Sequence, residues 1–99
     1  MIDDTTWQDQ LAKMQQTLDH PGIAAIVRSC NQRHGGPFDR GSADSYYHRG
    51  PNPHYYVGGT GTSERVEYED MTRDELEQYL AGYLYNESIG SFKDWGDDR

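Results

Sequence analysis

Cysteine, basic residues and long apolar runs are all scarce in this chain of 99 residues. Cys30 is the sole cysteine, so no disulfide can form within the chain, which fits a reducing compartment. No apolar run approaches the roughly 20 residues of a membrane span, and the acidic N-terminus lacks the apolar segment of a secretory signal. We therefore expect a cytoplasmic protein that has no membrane partner.

Positive charge is scarce overall but concentrated in the middle of the chain. Nine Lys and Arg stand against 17 Asp and Glu, which gives a formal net charge of -8. Residues 61–99 carry four basic against eleven acidic groups, whereas residues 20–60 carry four Arg against two Asp and hold all four histidines. Nucleic-acid binding requires a broad basic face, so we expect no direct nucleic-acid binding. The acidic body permits binding to a basic protein surface.

The apolar content is also low, at 33% with a mean hydropathy of -1.04. A chain of this length forms one domain, and its core is thin. Stability completed by a partner, or by a second copy in a homodimer, is the natural expectation.

Apolar periodicity predicts two helices in the N-terminal part, residues 1–34. Thr5 can cap the first helix, with Gln8 as the reciprocal partner three residues later. The apolar stripe of this helix, over residues 6–18, consists of Trp7, Leu11, Met14 and Leu18. The second helix should end before Gly35, and its buried face consists of Ile23, Ile26, Val27 and Cys30.

The middle part, residues 35–70, is rich in glycine, proline and tyrosine. We predict a short helix over residues 42–49, capped by Ser42 and stopped at Gly50 and Pro51. The β-prone runs 54–57 and 65–68 flank a glycine-rich loop, which predicts a β-hairpin. Adjacent residues on a strand point to opposite faces, so one of Tyr55 and Tyr56 should be buried and the other exposed.

The C-terminal part, residues 71–95, holds the clearest helix signal. Thr72 and Glu75 have the spacing of a capping box, so a helix should run from about residue 73 to 87 and end at Gly90. Its core-facing stripe consists of Leu76, Tyr79, Leu80, Tyr83 and Leu84. Phe92 and Trp95 can fold the tail back onto the body. Together, the elements predict a small α+β single domain over residues 1–99.

For every candidate catalytic, metal-binding or nucleotide-binding motif, a structural role explains the residues better than a functional role does. Cys30 and His34 could bind zinc with His48 and His54, but zinc sites in small domains use paired, closely spaced ligands. A catalytic thiol needs an exposed, electropositive setting, whereas the helical pattern buries Cys30. The loop 58–63 resembles a phosphate loop in its glycines but lacks the lysine. We predict no enzymatic activity, no metal and no cofactor.

The segment from Arg40 to Tyr56 is the most informative part of the sequence. Tyr and Arg are enriched at interface hot spots because they combine contact area with hydrogen bonding. We predict a partner-binding surface that consists of Arg40, Asp44, Tyr46, Tyr47, His48, Arg49, His54, Tyr55 and Tyr56. The same Arg, Tyr and His side chains could instead clamp a nucleotide. In a purely structural role, the tyrosines would stabilise the hairpin through cross-strand pairs.

A secondary acidic edge surrounds the start of the last helix and consists of Glu67, Glu69, Asp70 and Asp74. Negative charge at this point opposes the helix macrodipole favourably, so a solvated face explains the edge. The functional alternative is that the edge imitates a nucleic-acid backbone and occupies a basic groove.

Several short runs carry a resemblance to other proteins. The runs RGSADSYY at 40–47, PHYY at 53–56, AGY at 81–83 and FKDW at 92–95 resemble a group of short accessory proteins from bacteriophages and prophages. The resemblance covers roughly residues 38–95. It implies no catalytic activity, but small phage accessory proteins commonly bind and disable a host protein, including components of CRISPR and other immune systems.

These observations favour a phage-encoded, non-enzymatic inhibitor that binds a host protein in the bacterial cytoplasm. On this hypothesis the partner belongs to a defence system, so the protein would be an anti-CRISPR or another anti-defence factor. A protein that sequesters a nucleotide signal, and a nucleic-acid mimic that occupies a basic groove, are the alternatives.

Overall fold

The computed structural model describes residues 6–17, 20–59, 63–90 and 92, and within them it contains four α-helices and one antiparallel pair of strands. This arrangement confirms the predicted α+β class. The elements in chain order are α1 (Trp7–Thr17), α2 (His20–Ser29), α3 (Pro37–Tyr46), β1 (His54–Tyr56), β2 (Arg65–Glu67), a short 3₁₀ helix (Tyr68–Asp70) and α4 (Arg73–Ile89). None of the described helices is long and apolar enough to cross a membrane.

The two N-terminal helices form where the apolar periodicity predicts them. Met14 of α1 and Val27 of α2 are buried in the core. The side chain that caps α1 is Thr6, whose Oγ1 accepts a hydrogen bond from the Asp9 N–H at 3.2 Å. The predicted capping residue Thr5 lies outside the described residues. The same is true of Leu18, of Trp95, of loop residues 60–62 and of the side chain of Ile23.

Helix α3 corrects the prediction of a helix over residues 42–49. It begins at Pro37, with Gly36 as the N-cap, because proline is preorganised for the first helical turn. Ser42 therefore lies in the middle of the helix and does not cap it. The helix ends at Tyr46, and the chain turns at His48, whose φ of 60° is left-handed. The prediction failed because the Gly-Gly-Pro run at residues 35–37 was interpreted only as a turn.

Helices α3 and α4 pack together more extensively than any other pair of elements in the described part of the chain. They approach each other through two glycines. A Cβ atom on Gly41 would overlap the carbonyl oxygen of Tyr79, and one on Gly82 would overlap the carbonyl oxygen of Phe38. The backbones of the two helices are therefore in direct contact, which only glycine at these positions allows.

Helix α4 confirms the predicted capping box and stripe. Thr72 Oγ1 accepts from the Glu75 N–H at 3.1 Å, and Glu75 Oε1 accepts from the Thr72 N–H at 2.9 Å. Leu76, Tyr79, Leu80 and Leu84 are buried, and Tyr83 is half-buried. The helix continues to Ile89 and ends at Gly90, whose φ of 70° is left-handed.

The hairpin is also confirmed, with His54, Tyr55 and Tyr56 opposite Glu67, Val66 and Arg65. The prediction that one of the two tyrosines is buried and the other exposed is wrong, because both are half-buried. Tyr55 packs on the α4 side, where its hydroxyl donates to Glu75 Oε2 at 2.8 Å. Tyr56 lies on the opposite face, against His54. Both faces of the short hairpin are therefore partly covered.

Candidate functional site

A cavity of about 430 Å³ lies between α3, the hairpin and the loop that connects them, residues 47–53. Its lining residues are Arg40, Asp44, Arg49, Gly50, Asn52, His54, Tyr56 and Arg65. Arg40 and Asp44 are one helical turn apart on α3, which places both on the same face. His54 and Tyr56 are two residues apart on β1 and therefore lie on the same face of the strand. Arg65 pairs with Tyr56 across the hairpin.

The lining is basic although the protein as a whole is acidic. It contains three arginines and a histidine against a single carboxylate, in a chain of net charge -8. Two of the four arginines of the middle block, Arg40 and Arg49, therefore line one concave surface together with Arg65 of β2. A cavity that focuses positive charge attracts anionic ligands, even when the net charge of the protein has the opposite sign.

Asp44 forms the polar floor of the cavity and is only 3% exposed. Its Oδ1 accepts a hydrogen bond from Arg49 Nε at 3.0 Å, and its Oδ2 accepts one from the hydroxyl of Tyr79. The Tyr79 hydroxyl in turn accepts a hydrogen bond from the Asn52 N–H at 2.8 Å. This network ties α3, the connecting loop and α4 together, and it compensates the cost of burying the carboxylate.

Tyr79 acts in this network as a neutral hydroxyl group. Burial, followed by the hydrogen bond to Asp44, raises the pKa of Tyr79 well above its ordinary value of 10. The phenol therefore keeps its proton at neutral pH and donates a hydrogen bond to Asp44.

His54 is 6% exposed and lines the cavity beside Asp44. Its Nδ1 lies 2.6 Å from the carbonyl oxygen of Asn52 and 3.9 Å from Asp44 Oδ2. Burial lowers the pKa of His54 below its ordinary value of 6.5, and the nearby Arg65 and Arg40 lower it further, against the opposing effects of Asn52 and Asp44. At neutral pH the ring is therefore neutral, with its Nδ1–H donated to the carbonyl oxygen of Asn52.

Arg40 places a buried guanidinium group at the cavity wall, because only 8% of the residue is exposed. Its Nη1 lies 3.8 Å from Asp39 Oδ2, an oxygen that also accepts a hydrogen bond from the Gly35 N–H at 2.9 Å. Burying a cation in a protein interior is costly unless an anion is nearby. Because Arg40 lines the cavity, an anion bound there could reduce this cost.

The structure separates the nine residues of the predicted partner-binding surface into two groups. Arg40, Asp44, Arg49, His54 and Tyr56 line the cavity. Tyr46, Tyr47, His48 and Tyr55 do not line it.

The residues outside the cavity have other neighbours. The exposed Tyr47 makes an edge-to-face contact with Tyr46, and the guanidinium of Arg49 lies 4.9 Å from the centre of its ring. The ring of His48 stacks on Phe92 at 4.9 Å. These side chains form an aromatic surface on the outer side of the connecting loop.

Four residues of the site are not among those predicted from the sequence: Gly50, Asn52, Arg65 and Tyr79. A signal existed for Arg65, because the predicted hairpin places it across from Tyr56 on the same face. Tyr79 was assigned to the core stripe of α4, which is correct for its ring, but the partner of its hydroxyl depends on how closely α3 and α4 approach.

The other sequence candidates do not line the cavity. The residues of the acidic edge, Glu67, Glu69, Asp70 and Asp74, are all exposed. Glu67 binds Arg65 Nε at 2.8 Å. Burial raises the pKa of the Cys30 thiol, and its Sγ donates to the Ile26 carbonyl at 3.3 Å. Within the described ranges, no three His, Cys, Asp or Glu side chains are placed to hold a metal ion together.

A scan against protein-family models found no match, and neither did searches of curated proteins and of solved structures.

Proposed function

We propose that this protein is a non-enzymatic binding protein, and that the cavity holds an anionic group of its ligand. The observation that supports this proposal is the convergence of Arg40, Arg49 and Arg65 on one cavity of about 430 Å³ in a chain of net charge -8. Arginine is suited to this role because its planar guanidinium presents several N–H donors in a fixed arrangement that matches carboxylate and phosphate oxygens.

The composition of the lining supports binding without catalysis. Among the described residues that line the cavity there is no Ser, Thr, Cys or Lys to act as a nucleophile. Both oxygens of Asp44, the carboxylate of the lining, accept hydrogen bonds from protein groups. The polar groups of the cavity therefore form a fixed framework, as expected of a site that recognises a ligand and leaves it unchanged.

At the level of biology, we propose that the protein is a phage-encoded inhibitor of a host defence component. The resemblance of residues 38–95 to phage accessory proteins supports this role. The exposed Tyr47, His48 and Arg49 beside the cavity would supply contact area to a protein partner. A small nucleotide signal, sequestered in the cavity, is the second candidate, and the volume of the site, about 430 Å³, favours it.

The proposal is tested by recovering ligands from a bacterial lysate. Wild-type protein is incubated with the lysate and purified again, and both protein partners and released small molecules are identified by mass spectrometry. Arg65→Gln removes one charge at the rim of the cavity, and Arg28→Gln removes the same charge from the exposed side of α2. We expect the ligand to be recovered with wild type and Arg28→Gln and reduced about tenfold or more with Arg65→Gln. Equal recovery with both variants, or no recovery at all, would contradict the proposal.

A further inference from the structure

We infer that the anionic group held in the cavity is the phosphoryl group of a mononucleotide-sized ligand. This inference rests on the function proposed above and specifies the chemical class of the ligand. The volume supports it, because about 430 Å³ falls within the range of pockets that enclose small molecules. A single acidic side chain of a protein partner would fill only a small part of such a space.

The arrangement of the cations favours a phosphoryl group over a carboxylate. Arg40, Arg49 and Arg65 all line the cavity and come from three different segments, namely α3, the connecting loop and β2. A phosphate monoester has three terminal oxygens and a charge between about -1.5 and -2 at neutral pH, whereas a carboxylate has two oxygens in one plane. Three guanidinium groups arranged around a space match the tetrahedral group better than the planar one.

The arginines also retain donors for a ligand after their contacts within the protein. Arg49 binds Asp44 through its Nε at 3.0 Å. Arg65 binds Glu67 through its Nε at 2.8 Å and also forms a hydrogen bond with the side chain of Tyr56. In both residues the terminal nitrogens carry further N–H groups that can bind additional oxygens. The protein carboxylates therefore orient these two guanidinium groups while leaving part of their binding capacity for the ligand.

Planar surfaces beside the arginines provide a place for a nucleobase. Tyr56 lines the cavity with a half-buried ring, held edge-to-face against His54 at 5.8 Å. Aromatic rings and guanidinium planes both stack on bases, and the amide of Asn52 adds hydrogen-bonding groups of both kinds. Phosphate recognition and base stacking are therefore available in the same cavity.

The acidic charge of the protein favours a small ligand over a nucleic-acid strand. Glu67 is exposed and pairs with the cavity residue Arg65, and the net charge of the chain is -8. A long polyanion that placed one phosphate in the cavity would bring its other phosphates close to these charges and be repelled. A mononucleotide has no such neighbours, so it gains the local attraction of the cavity without that repulsion.

The inference is tested by calorimetry and thermal unfolding with defined probes. The probes are the four common nucleoside monophosphates, the corresponding nucleosides, inorganic phosphate, a Glu-rich peptide and a short single-stranded oligonucleotide. We expect at least one monophosphate to raise the Tm by roughly 10 °C at about 100 times its Kd. The matching nucleoside and inorganic phosphate should each bind at least about tenfold more weakly, because each supplies one of the two recognised parts.

Three protein variants assign the binding to the cavity. Arg65→Gln should weaken binding of the monophosphate about tenfold, whereas the control Arg28→Gln should leave it unchanged. Glu67→Gln removes a negative charge beside Arg65 while its amide oxygen can still accept the Arg65 hydrogen bond, so it should strengthen binding of the anionic ligand several-fold. This gain keeps the test decisive even if Arg65→Gln folds poorly.

Each alternative outcome has a separate meaning. Binding of the Glu-rich peptide that depends on Arg65, with no binding of any monophosphate, would overturn this inference and leave the proposed function standing. Inorganic phosphate or the oligonucleotide binding as tightly as the monophosphate would overturn the mononucleotide assignment. If no probe and no lysate component binds, both the inference and the proposed function are wrong.

Discussion

The hydroxyl group of Tyr79 is a single atom on which three segments of the chain depend. It donates to Asp44 of α3 and accepts from the Asn52 N–H of the connecting loop, while its own ring is fully buried in the core. The ring could be replaced by phenylalanine with little change in packing. The substitution would, however, leave Asp44 Oδ2 and the Asn52 N–H without the hydroxyl that both bind.

We predict that Tyr79→Phe lowers the free energy of unfolding by about 2 kcal/mol, because it leaves buried polar groups without a partner. Urea denaturation at neutral pH measures the change. The matched control is Tyr85→Phe, which removes a hydroxyl from a half-buried tyrosine of the same helix outside this network. A loss of equal size in both variants would show that the network contributes nothing specific.

The second prediction at the residue scale concerns His54 and pH. Burial is the main cause that lowers the pKa of His54 below its unfolded value of 6.5, and Arg65 and Arg40 add to it while Asn52 and Asp44 oppose it. Well above pH 6.5 the ring is neutral in both the folded and the unfolded state. As the pH falls through 6.5, His54 is protonated in the unfolded chain but stays neutral in the folded protein. Protonation therefore favours unfolding, and the free energy of unfolding falls until the pH reaches the lower pKa of the folded state.

We therefore expect the wild type to lose stability between about pH 7 and pH 5 more steeply than His54→Asn. The difference in slope should be at most about 1.4 kcal/mol per pH unit, the limit for one proton. Urea midpoints across this range give the slopes, and His34→Asn, at an exposed position, serves as the control. Parallel pH profiles for wild type and His54→Asn would refute the prediction.

At the scale of elements, the crossing of α3 and α4 is the feature on which the fold depends most. We predict that Gly41→Ala and Gly82→Ala each destabilise the protein by about 2–3 kcal/mol, although alanine favours a helix by about 1 kcal/mol over glycine. In both cases the added Cβ meets backbone atoms of the facing helix, which cannot rotate away.

Thermal or urea unfolding measures the effect of these two substitutions. Ser42→Ala is the control, because it changes the side chain at the next position of α3 without adding an atom. A stabilising effect of either glycine substitution would mean that the two helices are further apart than the structure places them.

The elements that could be predicted from the sequence are those whose signals are local. The capping box at Thr72 and Glu75 and the stripe of α4 follow from spacing alone, and so does the hairpin from two β-prone runs. Helix α3 was predicted with wrong bounds, because a Gly-Pro pair both ends a turn and starts a helix. Whether such a pair ends a turn or starts a helix depends here on the packing of Phe38 against α4, which is a tertiary contact.

The same distinction explains how much of the site could be predicted. Arg40, Asp44, Arg49, His54 and Tyr56 belong to one segment rich in Arg, His and Tyr, so composition identified them. Their separation from Tyr47 and His48 could not be predicted, because it follows from the left-handed turn at His48, a conformation that is uncommon for residues other than glycine.

At the scale of the whole molecule, the net charge of -8 lowers the stability of the folded state. Seventeen acidic groups on 99 residues repel one another in the folded state, and the thin core leaves little stability to oppose that repulsion. Salt screens the repulsion between exposed charges more than it weakens the buried pairs.

We predict that the Tm rises by roughly 2–5 °C when sodium chloride is increased from about 20 to about 200 mM. Differential scanning calorimetry at fixed pH measures the shift. Choline chloride at the same concentrations should give the same rise, because screening depends on ionic strength and not on the cation. A Tm that falls with salt would show that attractive ion pairs outweigh the repulsion.

The two glycines at the crossing of α3 and α4 also determine the dimensions of a site that neither of them touches. Asp44 lies about one turn after Gly41, and Tyr79 lies about one turn before Gly82. The spacing of the two backbones therefore sets the distance between Asp44, the floor of the cavity, and the Tyr79 hydroxyl that binds it. A bulkier residue at the crossing would move Asp44 relative to Tyr79 and so change the shape of the cavity, although every lining residue stayed the same. Ligand preference could therefore be altered from behind the cavity, and selection for a new ligand would act on the helix packing as well as on the residues in contact with it.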